Sequence, residues 1–315
     1  MYLSSTNDGQ SVHISDERTQ LSELLSDPYP CANQVVHEYG IAREQLITIF
    51  ELEKRFHAEI LATKDSAQRK RHYSALYNEV HRLKRLGMIR ETLTEATNQS
   101  RLVLMFRREL EGRSVLDVGC GTGLFLREVA RQLHHGELCG LDTSATHLPR
   151  TSNEIRFVES DIVRFRLDRQ YQVIFSHQVL EHIAPADLPE HLNSIYSALS
   201  PGGTFIVCLP NRYWGPQDIT RIVDNSFQGR TPAQGSHLNE SSYCELVPYL
   251  STFGFKQVRT LLPFGAFVPA LRRWRVRPWL NQFVERHGGA RSLLNLVRLH
   301  GKPIFKNPII LICDK

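Results

Sequence analysis

No two of the six cysteines, at 31, 120, 139, 208, 244 and 313, form a C-x-x-C pair, and several sit inside apolar runs. That favours reduced, buried thiols of a cytoplasmic protein over a disulfide framework. No apolar run approaches the ~20 residues needed to cross a bilayer. The first twenty residues are polar and lack an apolar leader core, so no secretory signal is expected. Glycine (19) and proline (15) stand at background levels, which excludes collagen-like and low-complexity chains. Net charge is only +5, and it is uneven: nine basic residues face one acid, Glu285, between Leu261 and Lys306. The chain as a whole is therefore not a basic nucleic-acid binder; one segment is basic.

What is present is enough for a large core: 315 residues, 41% hydrophobic and 23% charged. From about Arg43 to Glu111, Leu46, Ile49, Phe50, Phe56, Leu76, Val80 and Leu83 recur at helical spacing, which predicts a helical cap over 1–111. The texture changes at 112. Short apolar runs at Ser114–Val118, Glu137–Asp142, Ile155–Glu159, Tyr171–Phe175 and Thr204–Leu209 read as buried strands, with helices expected over Leu124–Leu133 and Asp187–Leu199. Asp187 and Glu190 have capping-box-like spacing, and Ser200–Gly203 reads as a turn. Phe253–Val258 and Ile309–Cys313 supply two more strands. The pattern predicts an α/β, doubly wound, mostly parallel seven-stranded sheet over 112–315, with a substrate loop at about 210–245 and a basic helical insertion at about 261–306.

The central motif is Asp117-Val-Gly119-Cys-Gly121-Thr-Gly123, which follows a strand and opens a helix. Glycines suit a tight turn that a ligand approaches, and a helix start offers free N–H groups. The spacing is G-x-G-x-G and not the dinucleotide G-x-G-x-x-G, and Asp117 would repel a diphosphate. Its carboxylate suits a cofactor carrying an ammonium and a sulfonium. Cys120 reads as a small packed residue, since no base accompanies it.

Here the sequence resembles the class I S-adenosylmethionine-dependent methyltransferases, and within them the small-molecule, quinone-biosynthesis-like branch. Asp142-Thr143 ends the second strand, Ser160-Asp161-Ile162 follows the third, Ser176-His177-Gln-Val-Leu-Glu-His182 closes the fourth, and Leu199-Ser-Pro-Gly-Gly-Thr-Phe-Ile-Val207 matches the late turn and strand. The resemblance covers about residues 112–210. It implies that Asp142 and Thr143 meet the ribose, that Asp161 receives the adenine amino group while Ile162 packs on the ring, and that Ser176 and His177 border the methyl group. The cofactor is then S-adenosyl-L-methionine, held by Asp117, Gly119, Cys120, Gly121, Gly123, Asp142, Thr143, Asp161, Ile162, Ser176 and His177.

Methyl transfer from a sulfonium is an in-line displacement, and a hydroxyl acceptor also needs a base worth roughly 10²–10⁴-fold. His177 and His182 lead as base candidates, with Glu181 beside them, and His237 and Asp218 stand in second rank. Some relatives carry E-x-x-E-H at this place and bind a divalent metal. Here Gln178 replaces the first carboxylate, so no metal is expected, although Glu181, His182 and either His191 or His237 form a conceivable ligand set. The site lacks the N/D-P-P-Y/F of base-amine methylases, so no nucleic-acid partner is expected. The acceptor is expected to be a small or lipid-like molecule, with oxygen favoured. An anionic carbon acceptor such as a prenyl diphosphate is the alternative. A non-catalytic cofactor-binding protein and a nicotinamide oxidoreductase are rivals from other classes. The basic insertion, with Trp274 and Trp279 among its arginines, either clamps an anionic acceptor or touches an anionic membrane through 271–302.

Overall fold

The computed structural model describes residues 27–86, 93–143, 154–262, 274–296, 298–299, 302–303 and 307–315. Strands β1 (Val115–Val118), β2 (Leu138–Asp142), β3 (Ile155–Glu159), β4 (Tyr171–His177), β5 (Leu199–Leu209), β6 (Gln257–Leu261), β7 (Arg275–Val276) and β10 (Ile309–Asp314) form one sheet in the order β3-β2-β1-β4-β5-β10-β6-β7. β1 to β5 pair in parallel, while β10 runs antiparallel to both its neighbours. The sheet has eight strands, one more than the seven expected. β7, from the basic insertion, is the addition at the edge, and a separate hairpin joins β8 (Arg298–Leu299) to β9 (Lys302–Pro303).

Alternation along β1 explains the double winding. Leu116 and Val118 face a cluster built by α7 (Leu188–Ala198) and α8 (Tyr243–Thr252). Val115 faces the other side, where α4 (Leu93–Met105), α5 (Arg107–Leu110) and α6 (Leu124–Gln132) contribute Val103, Phe106, Leu110, Phe125 and Val129. A third cluster belongs to the N-terminal layer, formed by α1 (Ala32–Tyr39), α2 (Arg43–Ala62) and α3 (Ser66–Leu86). Leu46, Ile49, Phe50, Phe56 and Ile60 of α2 lie on one stripe at helical spacing, and that stripe closes over Ala184, Ile219, Ile222 and Leu238. The layer therefore covers the loops after β4 and β5.

Three local expectations change. Ser200–Gly203 lies within β5: Tyr171 pairs with Leu199 and Val173 with Thr204, so the intervening residues bulge from the ladder. The strand expected at Phe253–Val258 begins at Gln257, because α8 runs to Thr252. Asp187 makes no cap bond with its side chain; its carboxylate instead accepts from Arg69 on α3, through Nε at 2.8 Å and through a second guanidinium nitrogen. A side-chain N-cap is found elsewhere, at the start of α8. There Ser242 Oγ accepts from the Glu245 N–H and donates to the Glu245 carboxylate. Arg272, Arg273 and Lys306 of the basic segment lie outside the described residues.

Candidate active site

The first half of the site is the turn between β1 and α6. Gly119 has φ +76, and a Cβ there would sit 2.4 Å from Val179 Cγ2. Gly121 has φ +50, and a Cβ there would enter open space, so no neighbouring side chain screens the backbone at that point. The Gly121 N–H donates to Asp142 Oδ2 at 2.9 Å, which ties the turn to the end of β2. Asp117 is buried. Burial and the Asp142 carboxylate push it up to about 8, and no basic side chain among the described residues offsets them. Cys120 packs against β2 where Gly140 leaves room, and burial pushes its thiol up, so it is no nucleophile. Asp161 accepts the Val163 N–H at 2.8 Å and pairs with Lys70 of α3 at 3.1 Å.

The second half follows β4. His177 is the last residue of the strand; burial lowers it to about 4, so it is neutral at pH 7. A single 3₁₀ turn, Leu180–His182, then presents Glu181 and His182. His182 Nδ1 lies 3.0 Å from the Ser236 carbonyl. A carbonyl can only accept, so Nδ1 carries a proton, and in the neutral ring Nε2 is then the acceptor nitrogen. The His237 ring stands 4.8 Å from that of His182, and its Nδ1 contacts Glu240 Oε1 at 2.8 Å. Burial opposes charge on His237, but the Glu240 bond together with Glu181 and Asp218 outweighs it and raises the ring to about 9. Glu181 is fully buried, and among the described residues no other residue hydrogen-bonds either of its carboxylate oxygens; burial raises it to about 7 against the pull of His237 and of its own backbone N–H.

Long-range bonds hold the loop that carries His237. Asp218 accepts from the N–H groups of Thr220, Gly235 and His237, and Glu53 of α2 accepts from Ser236. The Glu181 carbonyl accepts from Leu238 and Asn239. Asp218 thereby holds the geometry of this loop. Glu181, His182 and His237 bring one ligand atom each within 4.8 Å of one another, a set that could hold a divalent metal. His191 is not among them; its Nδ1 binds the Ile162 carbonyl at 2.6 Å.

A methyltransferase domain family matches residues 89–260, more than half of the chain. The chain belongs to this family. A protein of Mycolicibacterium smegmatis described as a probable S-adenosylmethionine-dependent methyltransferase is 28% identical over 186 residues, 57% of this chain and 62% of that one. A ubiquinone biosynthesis O-methyltransferase of Rhodopseudomonas palustris is 26% identical over 178 residues, 54% of this chain and 68% of that protein. A trans-aconitate 2-methyltransferase of Deinococcus radiodurans is 30% identical over 205 residues, 60% and 77% respectively. This chain thus spans between three-fifths and four-fifths of their lengths.

The methyltransferase domain uses S-adenosylmethionine, and the turn fits that group. A buried carboxylate at Asp117, the half-buried and hydrogen-bonded carboxylate of Asp142 and an unscreened Gly121 backbone suit a ligand with an ammonium and ribose hydroxyls and would oppose a diphosphate. The structure brings the expected Asp117, Gly119, Gly121 and Asp142 together, with Thr143 exposed beside them. It brings His182 and His237 together as well, while His177 stacks over Phe175. Sequence reasoning did not single out Lys70, Glu53 or Glu240. Only Glu240 left a local trace, three residues after His237; the other two act from helices far away in the chain.

Proposed function

We propose that the chain methylates a hydroxyl oxygen of a small or lipid-like acceptor, with His182 as the base. One observation carries this reading: the Ser236 carbonyl fixes the His182 tautomer so that Nε2 accepts a proton, beside a second ring that is already cationic. S-adenosylmethionine, when bound, supplies an electrophilic methyl group on its sulfonium. Asp117, Asp142 and the Gly121 backbone hold the donor on one side of β4. On the other side His182 Nε2 takes the hydroxyl proton, and protonated His237 steadies the oxygen charge that develops. Glu181 balances the two imidazoles. The N-terminal layer, with the loop at 210–245, excludes water from the reacting atoms. We place the division between layer and core at about 111, and the protein in the cytoplasm, in keeping with its six free cysteines. Among the described residues no helix is long and apolar enough to cross a membrane.

The test is incubation of the chain with S-adenosylmethionine and a cell extract, reading S-adenosylhomocysteine release and products heavier by one CH₂ unit. Both signals should disappear in His182→Ala. Release that persists undiminished in that variant would remove His182 as the base. A second reading rests on the two orphaned oxygens of Glu181: a divalent metal on Glu181, His182 and His237 would lower the acceptor hydroxyl's pKa in place of a free base. Chelator treatment followed by metal add-back separates the two, since only the metal-assisted enzyme would lose and regain turnover.

A further inference from the structure

Seven large apolar side chains stand exposed among the described residues, and five of them lie within 274–296: Trp274, Trp279, Phe283, Leu293 and Leu296. The segment is well anchored. β7 extends the sheet edge, and Arg275 forms a buried pair with Glu109 of α5, Nε to Oε1 at 2.8 Å. The following helix, α9 (Trp279–Arg286), is built inside out. Its buried residues are Asn281 and Glu285, at 1% and 0% exposure, while Trp279 and Phe283 are 63% and 49% exposed. Glu285 accepts from the Asn211 amide at 2.6 Å and from the Tyr243 and Cys244 N–H groups at 2.8 and 2.9 Å, at the start of α8. Asn281 donates to Thr260 Oγ1 and to the Leu261 carbonyl. Polar bonds thus grip the helix from within and leave its apolar stripe outside. The next helix, α10 (Gly288–Leu296), buries no residue at all and exposes Leu293 and Leu296 at 65% and 76%.

Charge decides what this face fits. Glu285 is the only acid between 274 and 296, and it is buried and bonded. Arg277 and Arg286 are exposed, and Arg291 lies over the Tyr213 ring at 4.4 Å. A two-fold contact with a second copy would bring like charges together. An anionic bilayer offers an apolar interior to the stripe and phosphates to the arginines. We propose that α9 and α10 rest on an anionic lipid bilayer surface, with Trp279 and Phe283 at the boundary between headgroups and acyl chains and Arg277 and Arg286 against lipid phosphates. Indole rings, apolar in body with one polar N–H, suit that depth.

The experiment is flotation of the full chain with phosphatidylcholine vesicles, with and without phosphatidylglycerol, alongside tryptophan emission. Binding to the anionic vesicles should be at least about tenfold tighter than to neutral ones, with a blue shift of emission, and should weaken with salt. Trp279→Ser with Phe283→Ser should abolish it, and Arg277→Glu with Arg286→Glu should weaken it about tenfold. Melting temperature and S-adenosylmethionine titration of these variants should match the parent chain, which separates the surface from the methyl-transfer site. Equal binding to neutral and anionic vesicles would overturn the proposal, as would undiminished binding by the tryptophan–phenylalanine variant. A self-association of the parent chain that this same variant abolishes would overturn it too, by handing the face to a second copy.

Discussion

Asp117 on β1 and Glu181 just after β4 are buried carboxylates near the same end of two adjacent parallel strands, yet they keep different company. Beside Asp117 the described residues place another acid, Asp142, and no base, so the carboxyl rises to about 8. Beside Glu181 stands His237, itself cationic, and the rise stops at about 7. The first half of the site lacks a positive charge that a ligand must bring. The second half carries its own. This division of charge is what the proposed transfer from a cationic donor to a hydroxyl requires.

The sharpest break of that comparison is on the acceptor side. His182→Ala should lower kcat/KM by roughly 10²–10⁴-fold with S-adenosylmethionine affinity unchanged, measured by turnover and by titration calorimetry. A loss of cofactor binding would mean that the two halves are not separable. On the donor side, Asp142→Ala removes the tether of the Gly121 N–H and the carboxylate proposed to hold the donor, and should weaken cofactor binding about 10–100-fold by calorimetry.

The pH dependence sharpens the contrast further. A cationic ligand selects the ionised form of Asp117, so the cofactor's Kd should fall about tenfold between pH 7 and pH 9 as the carboxyl passes its value near 8. The opposing group is Asp142, with the raised Cys120 thiol nearby. Without ligand the sign reverses for stability: an acid raised in the fold binds more protons there than when unfolded, so stability falls as pH rises from about 4 to 8. Asp117→Asn should flatten both trends, in calorimetry and in thermal melts. The smallest effect is expected at Cys120→Ala, within about 1 kcal/mol in stability and about twofold in turnover, because the thiol only packs against β2.

The parallel strands and the glycine turn were legible because their signals are local: short apolar runs, and glycines where the chain turns against a ligand. The N-terminal layer was legible from helical spacing in α2 and α3. What escaped depends on partners far along the chain. Asp187 looked like a helix cap, but its carboxylate is taken by Arg69, which no local pattern announces. Glu53 steadies the loop that carries His237 from a helix that periodicity marked only as packing. Ser200–Gly203 has a turn's composition, and only pairing with β4 shows that it bulges within a strand. The inside-out character of α9 was hidden for the same reason. Its polar residues look solvent-facing until their bonds to Asn211, Tyr243 and Thr260 are seen.

Neighbouring residues on α3 have contrasting holds on the sheet. Arg69 is locked to Asp187 in the interior, whereas Lys70, 61% exposed, merely leans on Asp161. An ion pair so open to water is worth only about 0–1 kcal/mol. A new hydrogen-bond donor at Asp161 would therefore displace the lysine at little cost, while the Arg69–Asp187 pair keeps the helix seated.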